Sequence, residues 1–166
     1  MSSSPTPLPP RVDSRADFAV ALRWFVDAAL ARGARTMWWL DRDFSDWPID
    51  DPVLLDNLAP WLRLPQRRLL LVFADGSRLR SEHARFCLWR VPWAHAVETL
   101  RAQEEDAAEI STVLLDDGPT SLEVLDRDRW RGCTSVAAVD AQRLRERFDA
   151  LVQRSSPDVP PTTLGL

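Results

Sequence analysis

Several kinds of residue and segment are missing from this chain, and their absence narrows the possible classes of protein. It has no tyrosine and no lysine, so all 21 basic side chains are arginine. Its two cysteines, Cys87 and Cys133, are too few and too far apart for a disulfide framework or a CxxC zinc site. Neither an apolar run of about 20 residues nor the basic and apolar segments of a signal peptide can be found. These absences predict a cytoplasmic protein without a membrane anchor.

The overall composition is typical of a globular protein. Of the 166 residues, 45% are hydrophobic and 28% are charged, which is sufficient for one well-formed core. We expect a single domain over residues 13–154, between disordered tails 1–12 and 155–166 that are rich in proline, serine and threonine. The net charge of -4 gives no general attraction to nucleic acid or anionic lipid. The arginine bias is typical of a GC-rich bacterial genome, and it means that any anion site would use guanidinium groups.

The first third of the chain predicts a helix, a strand and a loop. Apolar residues recur at helical spacing from a Ser14 cap, and Gly33 ends the helix. The apolar run at 36–40 predicts a buried strand, and the acidic segment 41–51 predicts a loop after it.

The next segment predicts a helix, a strand and a further helix. Asp51 and Pro52 indicate the start of the first helix, which Pro60 is expected to break or restart. A second buried strand is predicted at 68–74, and Ser77 is expected to cap the helix that follows.

Beyond that helix the pattern predicts another helix and a hairpin. Pro92 is expected to kink the chain or to begin a new helix over 91–103. Two short apolar strands at 111–115 and 121–125 flank the turn 116–119, in which aspartate and glycine favour positive φ.

The last part of the domain predicts a short strand at 135–139 and a helix that Asp140 caps. The predicted order is therefore α-β-α-β-α-β-β-β-α. Early strands that are apolar on both faces and are separated by helices favour parallel pairing. We expect an α/β fold with a mixed, mostly parallel sheet that is flanked by helices on both sides.

His83 and Arg85 lie two residues apart, the spacing at which some phosphodiesterases place a histidine nucleophile and a phosphate-binding cation on one strand. Here the surrounding apolar residues recur at helical intervals, so the two side chains face different directions. Such enzymes also bind the phosphate through the compact ammonium group of a lysine, whereas arginine carries a rigid, planar guanidinium group. The pattern favours a helix in which His83 forms a hydrogen bond to a neighbouring loop, with catalysis by His83 as the alternative.

An aromatic and arginine-rich stretch follows His83. Trp89 and Trp93 are interleaved with Arg85 and Arg90, a combination that can stack bases and hold phosphates in a groove for single-stranded nucleic acid. Packing of guanidinium planes on indole faces at the edge of a core explains the same pattern. Packing is favoured, and nucleic-acid binding stays open as an alternative.

His95 and Glu98 are three residues apart, a spacing that predicts a local hydrogen bond on one face of a helix. No second ligand follows at metal spacing, which argues against a zinc site. We expect neither a metal ion nor a cofactor.

Asp41 and Asp43 follow the first strand, which is where ligands bind in open α/β sheets. Their DxD spacing is similar to that of haloacid-dehalogenase-type phosphatases, in which the first aspartate attacks phosphate and both hold magnesium. The remaining motifs of those enzymes are missing, and acidic loops commonly cap the next helix. Capping is favoured, with phosphatase chemistry at these two residues as the alternative.

Residues 109–154 carry a resemblance to a known family. A strand ends in Asp-Gly, a second strand pairs back, and a further strand and a closing helix follow, with Phe148 and Leu151 forming an F-x-x-L ending. This order resembles the C-terminal half of a phospholipase-D-like domain. The strand-helix-strand order upstream extends the resemblance over most of residues 14–154.

The signature of that family is H-x-K-x4-D running into the Asp-Gly turn. With its aspartate placed on Asp116, Glu109 stands where the nucleophilic histidine belongs and Ser111 where the lysine belongs. A carboxylate cannot replace the imidazole that forms the phosphoenzyme, and serine lacks the positive charge that stabilises a pentavalent phosphate. The chain therefore resembles uncharacterised proteobacterial phospholipase-D-like domains with a degenerate catalytic motif.

We expect a cytoplasmic bacterial binding or interaction module that is not an enzyme. Catalytic members of the family join two halves around one site, so resemblance to a single half implies a homodimer. The residues expected to contact a ligand lie on the acidic loop and on the stretch around the two histidines: Asp41, Asp43, His83, Arg85, Trp89, Arg90, Trp93 and His95.

Overall fold

Seven strands form one mixed sheet in the computed structural model, which describes residues 10–158. The strands are β1 (Thr36–Leu40), β2 (Arg68–Phe73), β3 (Val97–Arg101), β4 (Thr112–Asp116), β5 (Ser121–Asp126), β6 (Arg131–Ser135) and β7 (Ser156–Pro157). Their order across the sheet is β6-β5-β4-β1-β2-β3-β7. β1 with β2 and β2 with β3 are parallel pairs, and the four other neighbouring pairs are antiparallel. The predicted α/β class and mixed sheet are confirmed, but the prediction that the sheet is mostly parallel is wrong, because the second half of the chain pairs as an antiparallel meander.

Helices cover both faces of this sheet, as the sequence predicts. The helices are α1 (Arg15–Ala31), α2 (Pro52–Leu62), α3 (Ser77–Glu82), α4 (Ala84–Trp89) and α5 (Ala138–Arg154). The first four pack on one face and α5 packs on the other. Side chains alternate along each strand, so Trp39 and Leu71 belong to the first hydrophobic cluster and Leu40 and Val72 to the second. Within residues 10–158, no helix has the length and apolar character needed to cross a membrane.

The first two helices begin where the sequence predicts. Ser14 Oγ accepts a hydrogen bond from the Asp17 N–H at 3.1 Å, and Asp51 Oδ1 accepts one from the Val53 N–H at 3.0 Å. Pro52 lies in the first turn of α2, where its missing N–H costs nothing. Each cap satisfies an N–H group that the helix itself leaves free, so local sequence determines both starts.

Pro60 does not break α2, contrary to the prediction. The helix continues to Leu62. Proline removes the hydrogen bond to the carbonyl four residues earlier, which belongs to the exposed residue Asp56, so water can replace the bond. Trp61 and Leu62 are buried, and the Trp61 Nε1–H donates to the Ala34 carbonyl at 2.6 Å. Burial of these two side chains holds the last turn of the helix together.

β3 lies where the sequence predicted a helix over 91–103. The chain forms a short 3₁₀ turn, Val91–Trp93, and then a strand parallel to β2. Val97 is buried, whereas Glu98 on the opposite face is half-buried. Leu100, on the same face as Glu98, is also buried, so the strand shows no simple alternation, and five positions are too few to distinguish its period from that of a helix.

The antiparallel half of the sheet agrees with the sequence in its hairpin but not in its last strand. β4 and β5 confirm the predicted hairpin, whereas the strand predicted at 135–139 is wrong, because β6 ends at Ser135 and Ala137 is the cap of α5. β6 has no buried residue, so no apolar pattern marks it. Asp140 is not the predicted cap, because it lies in the first turn of α5, where it accepts a hydrogen bond from Ser135 Oγ at 2.6 Å.

Both ends of the described chain contact the sheet. Val12 is buried and forms an isolated bridge with Gly132, and β7 pairs with β3. This placement differs from the predicted disordered tails 1–12 and 155–166. The outer parts of those tails lie outside the described residues.

Gly132 in β6 allows a close approach of two strands. A Cβ atom at this position would lie 2.2 Å from the Glu123 carbonyl oxygen and 2.8 Å from Val124 Cα. Because backbone atoms cannot move aside as a flexible side chain can, we expect Gly132→Ala to lower the free energy of unfolding by about 1 to 3 kcal/mol. Urea denaturation measures this difference.

The matched control is Gly118→Ala. The nearest atom to its added Cβ would be Asp116 Oδ1 at 3.5 Å, which is an ordinary contact. We expect a change of less than about 0.5 kcal/mol. Equal losses in the two variants would contradict the close approach as the cause.

Candidate functional site

A cavity of about 470 Å³ opens at the carboxyl end of β1. The loop after β1, the residues that lead into β4, and the end of β5 with its following turn meet there. Because β4 is antiparallel to β1, the start of β4 lies beside the end of β1. The lining residues are Asp41, Arg42, Asp43, Ser45, Asp46, Ile110, Ser111, Thr112, Val124, Leu125, Arg127, Asp128 and Trp130.

Asp41 is 2% exposed and uses both of its carboxylate oxygens. Oδ2 accepts hydrogen bonds from the backbone N–H groups of Phe44 at 2.7 Å and Asp43 at 3.3 Å. Oδ1 accepts from the Thr112 hydroxyl and from Arg127 Nε, the latter at 3.3 Å. A carboxylate offers about four acceptor positions, so Asp41 has none left for a substrate or a metal ion.

Arg127 is held on three sides within the cavity. Besides its bond to Asp41, its Nη2 donates to the Ser45 carbonyl at 2.5 Å. Its guanidinium carbon lies 3.7 Å from the centroid of the Trp130 ring, in cation-π contact. The charge of Arg127 is therefore balanced by Asp41, and its plane is fixed by an aromatic face.

Other carboxylates of the acidic loop also have structural partners. Asp43 Oδ1 accepts hydrogen bonds from the Ser45 N–H at 2.9 Å and from the Ser45 hydroxyl at 2.7 Å. Asp50 accepts from the N–H groups at the start of α4, those of Phe86 at 2.8 Å and Arg85 at 3.3 Å. The loop therefore caps helices through Asp50 and Asp51, whereas Asp41 and Asp43, for which the sequence favours capping, bind N–H groups of their own loop.

His83 lies between α3 and α4 and is 5% exposed. Its Nε2 is 2.8 Å from the Phe44 carbonyl oxygen in the acidic loop. A carbonyl only accepts hydrogen bonds, so Nε2 carries a proton and has no lone pair with which to attack a phosphate. His83 does not line the cavity beside Asp41. The contact is the hydrogen bond to a neighbouring loop that the sequence favours, although His83 joins two short helices and does not lie within one helix as predicted.

This histidine helps to hold a strained residue. Phe44 has a φ of 58°, in the left-handed region that bulky side chains rarely adopt. Its N–H is bound by Asp41, its carbonyl by His83, and its ring packs against the rings of Trp47 at 4.7 Å and Phe73 at 6.3 Å between centroids. Asp41 and His83 thus act on one residue and together set the shape of the loop.

The arginine- and tryptophan-rich stretch is divided between α4 and the 3₁₀ turn Val91–Trp93. Arg85 donates to a carbonyl of the acidic loop at 3.4 Å, whereas Arg90 donates to a threonine hydroxyl of β3 at 3.0 Å. Trp89 and Trp93 are half-buried, with ring centroids 6.4 Å apart, and pack against the first hydrophobic cluster. The tryptophans therefore pack at the edge of the core, as the sequence favours, but Arg85 and Arg90 form hydrogen bonds to other parts of the fold in place of the predicted packing on indole faces.

His95 is exposed and does not form the predicted local hydrogen bond with Glu98. Glu98 instead accepts from Arg68 Nη2 at 2.8 Å, across the parallel strands β2 and β3. The prediction is wrong because these residues are not on one helix. The His95 ring lies 6.4 Å from that of Trp93.

The positions aligned with the phospholipase-D-like signature do not surround one cavity. Ser111 lines the cavity beside Asp41, and its Oγ is buried without a hydrogen-bond partner among the described residues. Glu109 ends the 3₁₀ helix Glu104–Glu109. Asp116 lies at the opposite edge of the sheet, beside the start of β1, and its Oδ1 accepts from the backbone of the following turn at 2.9 and 3.1 Å.

Further reactive groups are scarce near this site. Burial raises the pKa of the Cys87 thiol, which favours the uncharged and weakly nucleophilic form. In the described part of the chain, no three histidine, cysteine or acidic side chains are grouped as a metal site requires.

Sequence reasoning missed three residues of the cavity: Thr112, Arg127 and Trp130. Arg127 is 86 positions from the carboxylate that it binds, so no local spacing indicates the pair. The sequence feature that could have indicated this site is the closeness of Arg127 to Trp130, directly after the second strand of the hairpin.

The chain matches no protein-family model, no curated protein and no solved structure.

Neutralising Asp41 tests whether its carboxylate is structural. Asp41→Asn keeps the shape of the side chain but turns an amide group toward hydrogen-bond donors and leaves Arg127 without its partner. We expect the free energy of unfolding, measured in urea, to fall by about 2 to 4 kcal/mol.

Asp43→Asn is the control, since that carboxylate is half-buried and binds only its own turn. We expect a loss of about 1 kcal/mol or less. If Asp41 were instead a catalytic residue retained at a cost in stability, Asp41→Asn would leave the free energy of unfolding unchanged or increase it. That outcome would contradict a structural role.

Proposed function

We propose that this chain is a non-catalytic binding module of phospholipase-D-like fold that acts in the bacterial cytoplasm. The observation that carries the proposal is the bonding of Asp41, whose two carboxylate oxygens accept four hydrogen bonds from the protein itself. A nucleophile or a metal ligand requires a free lone pair. The cavity beside it is open, so this edge of the sheet is suited to binding and not to bond cleavage.

Charge in the cavity defines the ligand that it favours. Four aspartates and two arginines line it, and one of those arginines is paired with Asp41. The excess of negative charge disfavours a phosphate or a carboxylate. Oδ2 of Asp43 has no hydrogen-bond partner among residues 10–158, and this half-buried carboxylate can accept from a ligand, whereas the Ser111 hydroxyl, also without a partner, is buried in the cavity wall. We therefore propose a small ligand rich in hydrogen-bond donors, such as an amine or a polyol.

Two further features support binding over phosphodiester hydrolysis. Glu109 and Ser111 stand at the positions where the family resemblance would require histidine and lysine. His83 donates from Nε2 to the Phe44 carbonyl and lies outside the cavity. While these bonds persist, the carboxylate of Asp41 and Nε2 of His83 have no lone pair free to attack phosphorus.

A hydrolysis assay tests the absence of catalysis. Bis(p-nitrophenyl) phosphate and p-nitrophenyl phosphate, with and without magnesium, should give no release of nitrophenolate above that of buffer. Turnover that disappears in Asp41→Asn or His83→Ala would overturn the proposal.

A binding assay tests the cavity. Spermidine and glycerol represent amines and polyols, and diethyl phosphate represents the disfavoured anion. In ¹H–¹⁵N NMR spectra, we expect spermidine or glycerol, but not diethyl phosphate, to shift the Trp130 indole N–H signal. Ser111→Arg should remove the shift because it fills the cavity and adds positive charge.

Ser81→Arg is the matched control, because Ser81 is exposed on α3 and lies outside the cavity. It should leave the shift unchanged. Binding that survives Ser111→Arg, or that favours diethyl phosphate, would count against this site.

A further inference from the structure

A second cavity, of about 410 Å³, opens at the opposite edge of the sheet, where the parallel strands β2 and β3 begin. One wall is the loop 62–68 that joins α2 to β2, and the other is the segment 93–96 that leads into β3. The Leu69 N–H donates to the Ala96 carbonyl at 2.8 Å, which holds the two walls side by side. This cavity shares no lining residue with the one beside Asp41.

The charged residues that line the second cavity are three arginines. Arg63, Arg67 and Arg68 line it together with His95, and no acidic residue of the described chain does. Arg68 is paired with Glu98 at 2.8 Å, whereas Arg63 and Arg67 form no ion pair within residues 10–158. Guanidinium groups bind phosphate oxygens through paired donors, so two uncompensated arginines in one cavity favour a phosphate.

Arg67 has an incomplete set of hydrogen bonds. Its Nη1 donates to the Pro65 carbonyl at 3.0 Å, while its Nε is buried without an acceptor among the described residues. A buried donor that lacks a partner is costly. A phosphate that drew this side chain into the cavity would supply the missing acceptor, so binding would remove a cost that the free protein carries.

The remaining walls are largely apolar. They include Leu64 and Trp93, and the guanidinium carbon of Arg63 lies 5.9 Å from the centroid of the Trp93 ring. Sites for small molecules measure about 300 to 1,000 Å³ and combine apolar walls with a few polar groups. Inorganic phosphate alone would leave the apolar part of the cavity empty, so the ligand needs an apolar portion beside its anionic group.

We propose that this cavity binds a phosphate monoester that carries an aromatic ring and has the size of a mononucleotide. The phosphate contacts Arg63 and Arg67, and the ring packs against Trp93 and Leu64. A monoester carries more charge than a diester, which matches two free guanidinium groups. The site is independent of the proposed function, because the two cavities lie at opposite edges of the sheet.

Isothermal titration calorimetry of the full chain at low salt tests the phosphate-binding and ring-binding parts of this site separately. The probes are adenosine monophosphate, adenosine and inorganic phosphate. We expect adenosine monophosphate to bind, and adenosine and phosphate each to bind at least about tenfold more weakly. Its affinity should fall as salt is added, because salt screens the guanidinium charges. In ¹H–¹⁵N NMR spectra, the nucleotide should shift the Arg67 Nε–H and Trp93 indole N–H signals.

Single substitutions locate the site. Arg67→Gln and Arg63→Gln should each weaken binding of adenosine monophosphate by about tenfold or more. Arg143→Gln removes the same charge from an exposed position on α5 and should leave the affinity unchanged. The thermal midpoint of each variant establishes that it is folded.

Three results would overturn the inference. The first is that adenosine monophosphate gives neither heat nor NMR shifts. The second is that its affinity is the same for wild type and for folded Arg67→Gln and Arg63→Gln. The third is that phosphate or adenosine binds as tightly as the nucleotide.

Discussion

The hydrogen bonds of the Asp41 carboxylate are the interaction on which this end of the fold depends. Their donors come from three separate parts of the chain: the loop after β1, the first residue of β4, and the turn that follows β5. One of them holds Phe44 in a left-handed conformation, and the Phe44 carbonyl in turn accepts a hydrogen bond from His83, which lies between α3 and α4. A buried carboxylate is tolerated only when its acceptors are satisfied. These segments must therefore assemble together, and the cavity takes its shape from their assembly.

Sequence predicts those parts of the fold whose signals are local. Ser14 and Asp51 lie within three residues of the N–H groups that they cap, and the Asp-Gly turn between β4 and β5 is adjacent to both of its strands. β3 and β6 carry no comparable signal, because β3 has both apolar and polar residues on each face and β6 has no buried residue. Because residues 97–101 were predicted to belong to a helix, the sequence did not predict the second cavity, which is lined by arginines. Arg68 and His95 become neighbours of one cavity only if 97–101 is a strand parallel to β2.

The candidate site shows a related limit. Sequence correctly indicated Asp41 and Asp43 as residues at the end of a strand, but their role depends on groups far away along the chain. Arg127 is 86 positions from Asp41, and Thr112 is 71 positions from it. Without these donors a DxD pair at the end of a strand has free lone pairs and can do chemistry, whereas with them it is a structural support. No spacing within the acidic loop distinguishes the two cases, since the difference is made by tertiary contacts.

The two edges of the sheet differ in the kind of polar group that the protein leaves without a partner. At the carboxyl edge of β1, Asp41 and Arg127 satisfy each other, and the groups without a partner among residues 10–158 are the buried, uncharged Ser111 hydroxyl and the second oxygen of Asp43. At the amino edge of β2 and β3, Arg67 keeps a buried donor without an acceptor, close to a second arginine that has no ion pair in the described chain. A folded protein has most to gain from a ligand where its own structure leaves such groups unpaired. Anion binding is therefore favoured at the edge where the parallel strands begin, which is opposite to the edge at which open α/β sheets usually bind their ligands.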